Sequence, residues 1–418
     1  MNGRRNPVVV VGGGAAGLMA ALFAAESGAN VLLVERTRDG GRKIVMSGGG
    51  RCNVLPSAID PSRFVTASSP NTMRKLLLAW PLDEQRRFFE AVVGIPLALE
   101  AETGKLFPVS NRSRDVRDAL VALAERRGVE RRFDTRVTGA APGPDGGWRV
   151  TVESGEAIRA SSVVLATGGL SVPATGSDGD GLAIAGRLGH AIHDTYPALT
   201  PLVATPHRFA ALSGISLSVA LEAPLGAGKR LRSEGGFLFT HKGYSGPAVL
   251  NLSHLCVRAR LEGRAQPVLA RWTSLDETAW ERELREGEGT LLAALRARLP
   301  ARLAEALLEE SGVDGAVALG QLRREDRRRV VLALTRFPLF WTGDEGYTKA
   351  EVTGGGVSLA EVEPRTLESR RRPGLFLCGE MLDAFGPIGG YNFAWAWSTG
   401  RAAGIGAALA FRGGAGPA

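Results

Sequence analysis

The sequence predicts an α/β fold, and three observations near its start predict it. Val8-Val9-Val10-Val11 is a run of four β-branched residues, the mark of a short strand buried on both faces. Gly12, Gly14 and Gly17 follow at the G-x-G-x-x-G spacing and lead into Leu18-Met19-Ala20-Ala21-Leu22-Phe23-Ala24-Ala25, a helix of mostly small residues with Gly28 as its stop. A second strand, Val31-Leu32-Leu33-Val34, then ends in Glu35. Strand, glycine turn, helix, strand and acid together form a dinucleotide-binding unit.

Each residue type in that unit has a physical task. Gly12 lets the chain turn sharply out of the strand. Gly14, with Ala15 and Ala16 of the same turn, lets the backbone approach a pyrophosphate, and Gly17 lets helix and strand pack closely. The N-terminus of the helix offers N–H groups and a positive dipole end to the anion. Glu35 stands eighteen residues after Gly17, where a ribose hydroxyl needs an acceptor. An acid there favours FAD or NAD over NADP, while the adjacent Arg36 is the kind of residue that meets a 2′-phosphate.

With 418 residues, two or three domains are expected, and 44% hydrophobic residues supply ample core. No apolar run reaches membrane-spanning length, and the start, Met1 to Asn6, is too short for a signal peptide, so a cytoplasmic protein without a membrane partner is expected. Cys52, Cys256 and Cys378 are far apart and the five histidines form no H-x-x-x-H pattern, so neither a disulfide framework nor a metal site is expected. The formal net charge of +8 rests almost wholly on arginine, since only six residues are lysine. Enrichment in Arg, Ala and Gly fits a GC-rich coding bias. Clusters such as Arg323-Arg324 and Arg327-Arg328-Arg329 read first as solvated faces and leave polyanion binding open.

After Glu35 comes Gly40-Gly41-Arg42-Lys43-Ile44-Val45-Met46-Ser47-Gly48-Gly49-Gly50-Arg51-Cys52-Asn53. So many glycines interleaved with cations predict neither helix nor strand but a loop shaped to hold something against its backbone. With Gly12 to Gly17 and Glu35, this run resembles the HI-type (YhiN- and BaiN-like) family of bacterial NAD(P)/FAD-dependent flavoproteins, and the resemblance extends over the whole chain. It implies a glutathione-reductase-like, Rossmann-like FAD-binding domain of the two-dinucleotide-fold type. It also implies that Arg42, Lys43, Ser47, Gly48, Gly49, Gly50, Arg51 and Asn53 lie along the FAD.

Further along, residues 71–93 read as helical with a break at Pro81, and 103–113 as a loop in which Lys105 and Arg112 are offered to an anionic substrate. Residues 115–127 form an amphipathic helix with Val116, Leu120 and Leu123 on one face. Alternation predicts strands at 132–137 and 148–152 around the turn Pro142-Gly143-Pro144-Asp145-Gly146-Gly147. By resemblance, Val137 offers its backbone to the adenine. Ser162-Val163-Val164-Leu165-Ala166-Thr167-Gly168-Gly169 is another buried strand, whose small end residues Thr167 and Gly168 resemble the second FAD contact of such flavoproteins. Asp178-Gly179-Asp180-Gly181 opens a helix and lacks the distal Glu of a calcium loop.

The inserted part is read as two pieces: a β-rich domain over 196–262 and 336–350, and a small helical subdomain over 263–335. The FAD-binding domain comprises 1–195 and 351–418. Leu375-Phe376-Leu377-Cys378-Gly379-Glu380 is a buried strand ending at an acid, and Gly386-Pro387-Ile388-Gly389-Gly390-Tyr391-Asn392-Phe393 turns into the last helix. By resemblance these form the third FAD block, with Gly379, Glu380, Asp383, Gly389, Gly390, Tyr391, Asn392 and Phe393 at the cofactor and the helix N-terminus facing the flavin pyrimidine.

The resemblance implies an oxidoreductase that uses NAD(P)H, through FAD, to reduce a carbonyl-conjugated C=C bond. The substrate is an enone such as a steroid, or uridine in ribosomal RNA, which becomes dihydrouridine. Only one dinucleotide fold is complete, so NAD(P)H has no dedicated domain. Cys52, with Arg51 beside it to lower its pKa, and Tyr391 are the candidate proton donors. Two other classes remain open: an FAD-dependent oxidase or dehydrogenase serving oxygen or quinone, and a non-catalytic, FAD-stabilised RNA-binding factor. The sequence leaves the oligomeric state unknown.

Overall fold

The computed structural model describes residues 6–144, 146–226 and 228–413. Asp145 of the expected turn and the first five residues of the expected leaderless start lie outside the described residues. The chain divides into two compact units, Met1–Tyr196 with Glu351–Ala418, and Pro197–Ala350.

The first unit is built on a parallel five-stranded sheet. Its order is Leu375–Leu377, Ser162–Leu165, Val8–Val11, Val31–Val34 and Glu130–Arg132. All four residues of each of the strands Val8–Val11, Val31–Val34 and Ser162–Leu165 are buried, as continuous apolar runs require of a parallel sheet covered on both faces. The glycine turn delivers the helix Ala15–Glu26, and the chain closes on the long helix Tyr391–Gly413. These two helices meet through glycine. A Cβ on Gly400 would lie 2.4 Å from the Ala16 carbonyl oxygen, and one on Gly404 would lie 2.3 Å from that of Ala20.

Between the second and third parallel strands lie the helices Pro70–Leu78 and Leu82–Arg87, the latter continued as a π-helix to Val93, with Pro81 as the break. The amphipathic helix Ser113–Arg126 buries Val116, Leu120 and Leu123. An antiparallel meander, Val137–Pro142, Trp148–Val152 and Ala157–Ala160, precedes the fourth parallel strand; the strand expected over 132–137 is instead broken at 133–136, between Glu130–Arg132 and Val137–Pro142, and Ala157–Ala160 was not expected.

Two expectations need correction. Residues 40–53 are not loop throughout. Arg42–Gly50 begins as a helix with Ile44 buried, and helical geometry fails only at Ser47, Gly48 and Gly49. Gly41, at φ +61°, gives this helix a left-handed start, so the glycines bracket a helical turn rather than abolish it. The segment expected as a loop at 103–113 contains the strand Lys105–Pro108, paired with Leu97–Glu100 and Leu55–Pro56. Burial of Leu106 and Phe107 accounts for it.

The second unit carries a seven-stranded sheet, centred on the long hairpin Ser216–Gly226 and Lys229–Phe239. The helices Glu277–Glu286, Leu291–Arg296, Ala301–Ser311 and Arg324–Thr335 follow the expected apolar spacing. They do not form a separate core. Trp280, Leu295, Leu303 and Leu334 share one cluster with Phe237, Phe239 and Trp272 of the sheet segments. The strand Leu269–Arg271 of the expected helical stretch pairs directly with the hairpin. Short strands are invisible to periodicity, which is why the two pieces look separable in sequence. Among the described residues no helix is long and apolar enough to cross a membrane.

The glycine contact between the first and last helices can be tested by denaturant unfolding. Gly404→Val is expected to cost ~1–3 kcal/mol or more through overpacking against Ala20. Gly320→Ala, where a Cβ meets nothing within 4 Å, is expected to stay within about 0.5 kcal/mol of wild type.

Candidate functional site

The glycines of the first turn divide their work as their positions demand. A Cβ on Gly12 would stand 2.6 Å from the Ala166 carbonyl oxygen, and one on Gly17 would stand 1.8 Å from that of Gly12, so both serve close backbone packing. A Cβ on Gly14 would meet nothing within 4 Å. Space is therefore left where a phosphate would approach the start of the helix Ala15–Glu26. That helix has no side-chain cap and no acid in its first turn, so its leading N–H groups stay available to an anion.

Glu35, buried at the end of the second strand, is fixed in place. Its Oε2 accepts from the Gly13 N–H at 2.6 Å, and its Oε1 accepts from the Thr37 N–H and hydroxyl, both at 2.7 Å. Each carboxylate oxygen has further acceptor capacity for a ribose hydroxyl. Arg36 is committed elsewhere: its guanidinium pairs with Asp178 and lies 3.5 Å from Asp180, which also binds Arg136. These partners leave the Asp178-Gly179-Asp180 acids matched by arginines. Arg42 is held by Asp39 at 2.7 Å, and that contact lowers the Asp39 pKa. Val137 opens the first meander strand, at a bulge that separates it from Gly139 in register.

Residues from distant parts of the chain converge behind this turn. Lys43 Nζ donates to Ser171 Oγ at 2.6 Å and to Glu380 Oε2 at 2.8 Å. Glu380 Oε1 accepts from Ser171 Oγ, the Thr353 N–H and the Thr353 hydroxyl. Gly379 comes so close to the first helix that a Cβ there would lie 2.7 Å from Ala16 Cβ. Gly168, at φ +75°, leaves room for the Ser177 hydroxyl. Thr167 Oγ1 is buried without a hydrogen-bond partner among the described residues. Ser171 and Thr353 were not foreseen as site residues. Thr353 sits in a glycine-rich buried strand that marked it as unusual, whereas nothing local singles out Ser171.

The opposite end of the site is organised by the N-terminus of the last helix. A Cβ on Gly390 would lie 2.5 Å from the Leu55 carbonyl carbon, and its N–H donates at 2.9 Å to the Asn53 amide oxygen once that amide is oriented to satisfy both its partners. Asn392 closes the turn by exchanging hydrogen bonds with both backbone groups of Gly386. Phe393 stacks on Trp397 with ring centroids 5.2 Å apart. The Tyr391 hydroxyl accepts a hydrogen bond from Arg63 at 3.2 Å, and the same guanidinium lies over the Tyr391 ring. Arg63 gave no signal in the sequence, because its partner is 328 residues away. Lys105 Cε approaches Gly389, whereas Arg112 pairs with Asp115.

Gly48, Gly49 and Gly50 all take positive φ, and the last two face open space. Ser47, by contrast, turns its hydroxyl back to the Ile44 carbonyl. The expectation that Arg51 lowers the Cys52 pKa is overturned nearby. Arg51 does not approach the Cys52 thiol: its guanidinium lies 3.9 Å over the Phe107 ring and pairs with Glu100 at 3.0 Å. Cys52 is fully buried at a left-handed backbone position, φ +61°, and burial pushes its thiol up to about 12 rather than down. Asp383 Oδ2 accepts from the Ala67 and Ser68 N–H groups and the Thr66 and Ser68 hydroxyls, which fixes the 66–68 turn.

Two tests follow from these positions. With Cys52, Cys256 and Cys378 all buried, a thiol reagent at neutral pH is expected to label none of them until the protein is unfolded. Rapid labelling of Cys52 in the native protein would restore it as a reactive group. Glu380→Leu removes the partner of Lys43 and is expected to weaken flavin retention by tenfold or more, ~1.4 kcal/mol or above, as read by titration of the apoprotein. Unchanged affinity would limit the Lys43–Glu380 pair to a role in packing.

The open space at Gly14, the uncapped start of the helix Ala15–Glu26 and the fixed Glu35 fit an extended dinucleotide such as FAD. Comparison with known proteins agrees. The model of the HI0933-like protein Rossmann domain matches residues 6–406. The chain is 33% identical to the ribosomal RNA dihydrouridine synthase of Escherichia coli, covering 94% of this chain and 96% of that protein. It is 31% identical to the 3-dehydro-bile acid delta(4,6)-reductase of Clostridium scindens, covering 96% and 99%. The 3-ketosteroid delta1-dehydrogenase structure from Sterolibacterium denitrificans shares the fold at a TM-score of 0.52 and 13% identity, over 96% of this chain and 99% of that one. The chain belongs to the HI0933-like family of Rossmann-fold flavoproteins.

Proposed function

We propose that this protein uses NAD(P)H, through bound FAD, to reduce a carbon–carbon double bond conjugated to a carbonyl. The observation that carries this reading is full-length similarity to two reductases whose names describe one kind of reaction: saturation of uridine in ribosomal RNA, and saturation of a ring double bond in a 3-keto bile acid. In both, the double bond is activated by a carbonyl. An RNA substrate would place the protein in the cytoplasm.

Bound FAD supplies a hydride relay from nicotinamide to the electron-poor carbon. The chain's own residues hold, orient and protonate. The N-terminus of Ala15–Glu26 neutralises the pyrophosphate, and Glu35 holds the adenosine ribose. Lys43 and Glu380 lock the middle of the site across the two ends of the chain. The N-terminus of Tyr391–Gly413 favours negative charge at the pyrimidine end of the ring. Reduction of the double bond also needs one proton, delivered to the carbon that does not receive the hydride. Tyr391 is the donor in this reading, because it is the first residue of that helix and its hydroxyl is oriented by a hydrogen bond from Arg63.

The test separates the two half-reactions. Under anaerobic conditions NADH or NADPH is expected to bleach the flavin, and an enone or unmodified ribosomal RNA to restore its colour. A flavin that neither nicotinamide reduces, or one restored as fast by air as by any such acceptor, would contradict the reading. Tyr391→Phe is expected to leave bleaching unchanged and slow the second step by ~10²-fold or more. Equal second-step rates in wild type and variant would remove Tyr391 as donor.

A further inference from the structure

The second unit, which contains none of the cradle residues and neither Tyr391 nor Arg63, holds a pocket of about 570 Å³. Its walls come from the helix Arg324–Thr335, the end of Ala301–Ser311 and the strand Phe337–Pro338. The floor is aromatic. Tyr244 is 1% exposed and Phe337 is buried, while Phe340 stands 44% exposed at the rim. The Tyr244 hydroxyl has no hydrogen-bond partner among the described residues although the side chain lines the pocket. That hydroxyl is open to the pocket and free to bond a polar group of a ligand.

The remaining wall is cationic. Arg208, Arg329 and Arg336 line the pocket against one acid, Glu310. Glu310 faces Arg208 at 3.6 Å, and Arg329 is occupied by Asp326 and the Ser311 carbonyl. Arg336 is exposed and has no carboxylate partner among the described residues, so its charge is available to an anion. Aromatic faces beside an unmatched guanidinium suit a flat base carrying a phosphate: the base stacks on the rings, and the arginine takes the charge. A steroid acid would satisfy the arginine and the phenol but has no aromatic face to stack on the rings.

We propose that this pocket binds one nucleotide of a single-stranded RNA, with its base against Phe340 and Phe337 and its phosphate toward Arg336. The choice of RNA over a free nucleotide rests on the proposed action on ribosomal RNA; the base-and-phosphate chemistry does not.

The experiment measures binding of a short, fluorescein-labelled single-stranded RNA to the FAD-loaded protein by anisotropy, over a range of salt concentrations. Phe340→Ala and Arg336→Ala alter exposed side chains outside the cofactor machinery, and both are expected to keep flavin bleaching by nicotinamide at the wild-type rate. Phe340→Ala is expected to weaken RNA binding by about tenfold or more. Arg336→Ala is expected to weaken it and to lower the slope of log affinity against log salt by about one. Tyr244→Phe, a change too small to disturb folding, is expected to weaken binding by severalfold. RNA affinity unchanged in all three variants would overturn the proposal. An unchanged RNA affinity accompanied by weaker binding of AMP or a higher KM for NADPH would overturn the RNA assignment and make the pocket one for free nucleotides. A protein that binds RNA through this pocket yet reduces neither uridine nor an enone would refute the proposed reaction while leaving the pocket in place.

Discussion

Close backbone approach around the first helix is the constraint on which the first unit depends. Gly12 and Gly17 bring Ala15–Glu26 onto the parallel sheet, Gly400 and Gly404 bring the last helix onto it, and Gly379 brings the end of the fifth strand to Ala16. Any Cβ at these positions would occupy space already held by backbone or by a neighbouring Cβ. With those approaches made, the segments that follow the first and fifth strands run beside one another; the Gly41 N–H donates to the Gly13 carbonyl, and from there Lys43 reaches Glu380 across a separation of 337 residues. The candidate cofactor site is thus a by-product of helix packing: two helix N-termini and two strand ends are drawn together by the absence of side chains.

Electrostatics then sort the charged residues into holders and bystanders. Many of the arginines that stand out in sequence have partners: Arg131 with Glu125, Arg132 with Glu156, Arg327 with Glu281 and Arg371 with Glu361. Exposed pairs of this kind contribute little to stability, but each removes a charge from the set available to a ligand. Arg63 at Tyr391 and Arg336 in the second unit are of a different kind, since neither has a carboxylate partner among the described residues.

Legibility in the sequence followed the range of the interactions. The strands Val8–Val11, Val31–Val34 and Ser162–Leu165 and the glycine turn were readable because pattern and function lie in adjacent residues. The helix at Arg42 was missed because glycine content suggested a loop, while burial of Ile44 and a left-handed start at Gly41 were tertiary facts. The Cys52 argument failed because sequence adjacency is not spatial adjacency: Arg51 and Cys52 point to different neighbours. Arg63 and Ser171 reach the site through pairings across 328 and 209 residues, whereas Thr353 meets Glu380 just 27 residues along the chain.

The central claim is that one cradle assembled from both ends of the chain carries reducing equivalents to a carbonyl-activated double bond. The most direct measurement is mass analysis of acceptors incubated with the FAD-loaded protein and NADPH or NADH: ribosomal RNA lacking dihydrouridine, digested to nucleosides, alongside 3-keto steroid enones. The expected result is an acceptor that gains the mass of two hydrogens in step with nicotinamide oxidised. Nicotinamide consumed only with oxygen, while every RNA nucleoside and every enone keeps its mass, would contradict it.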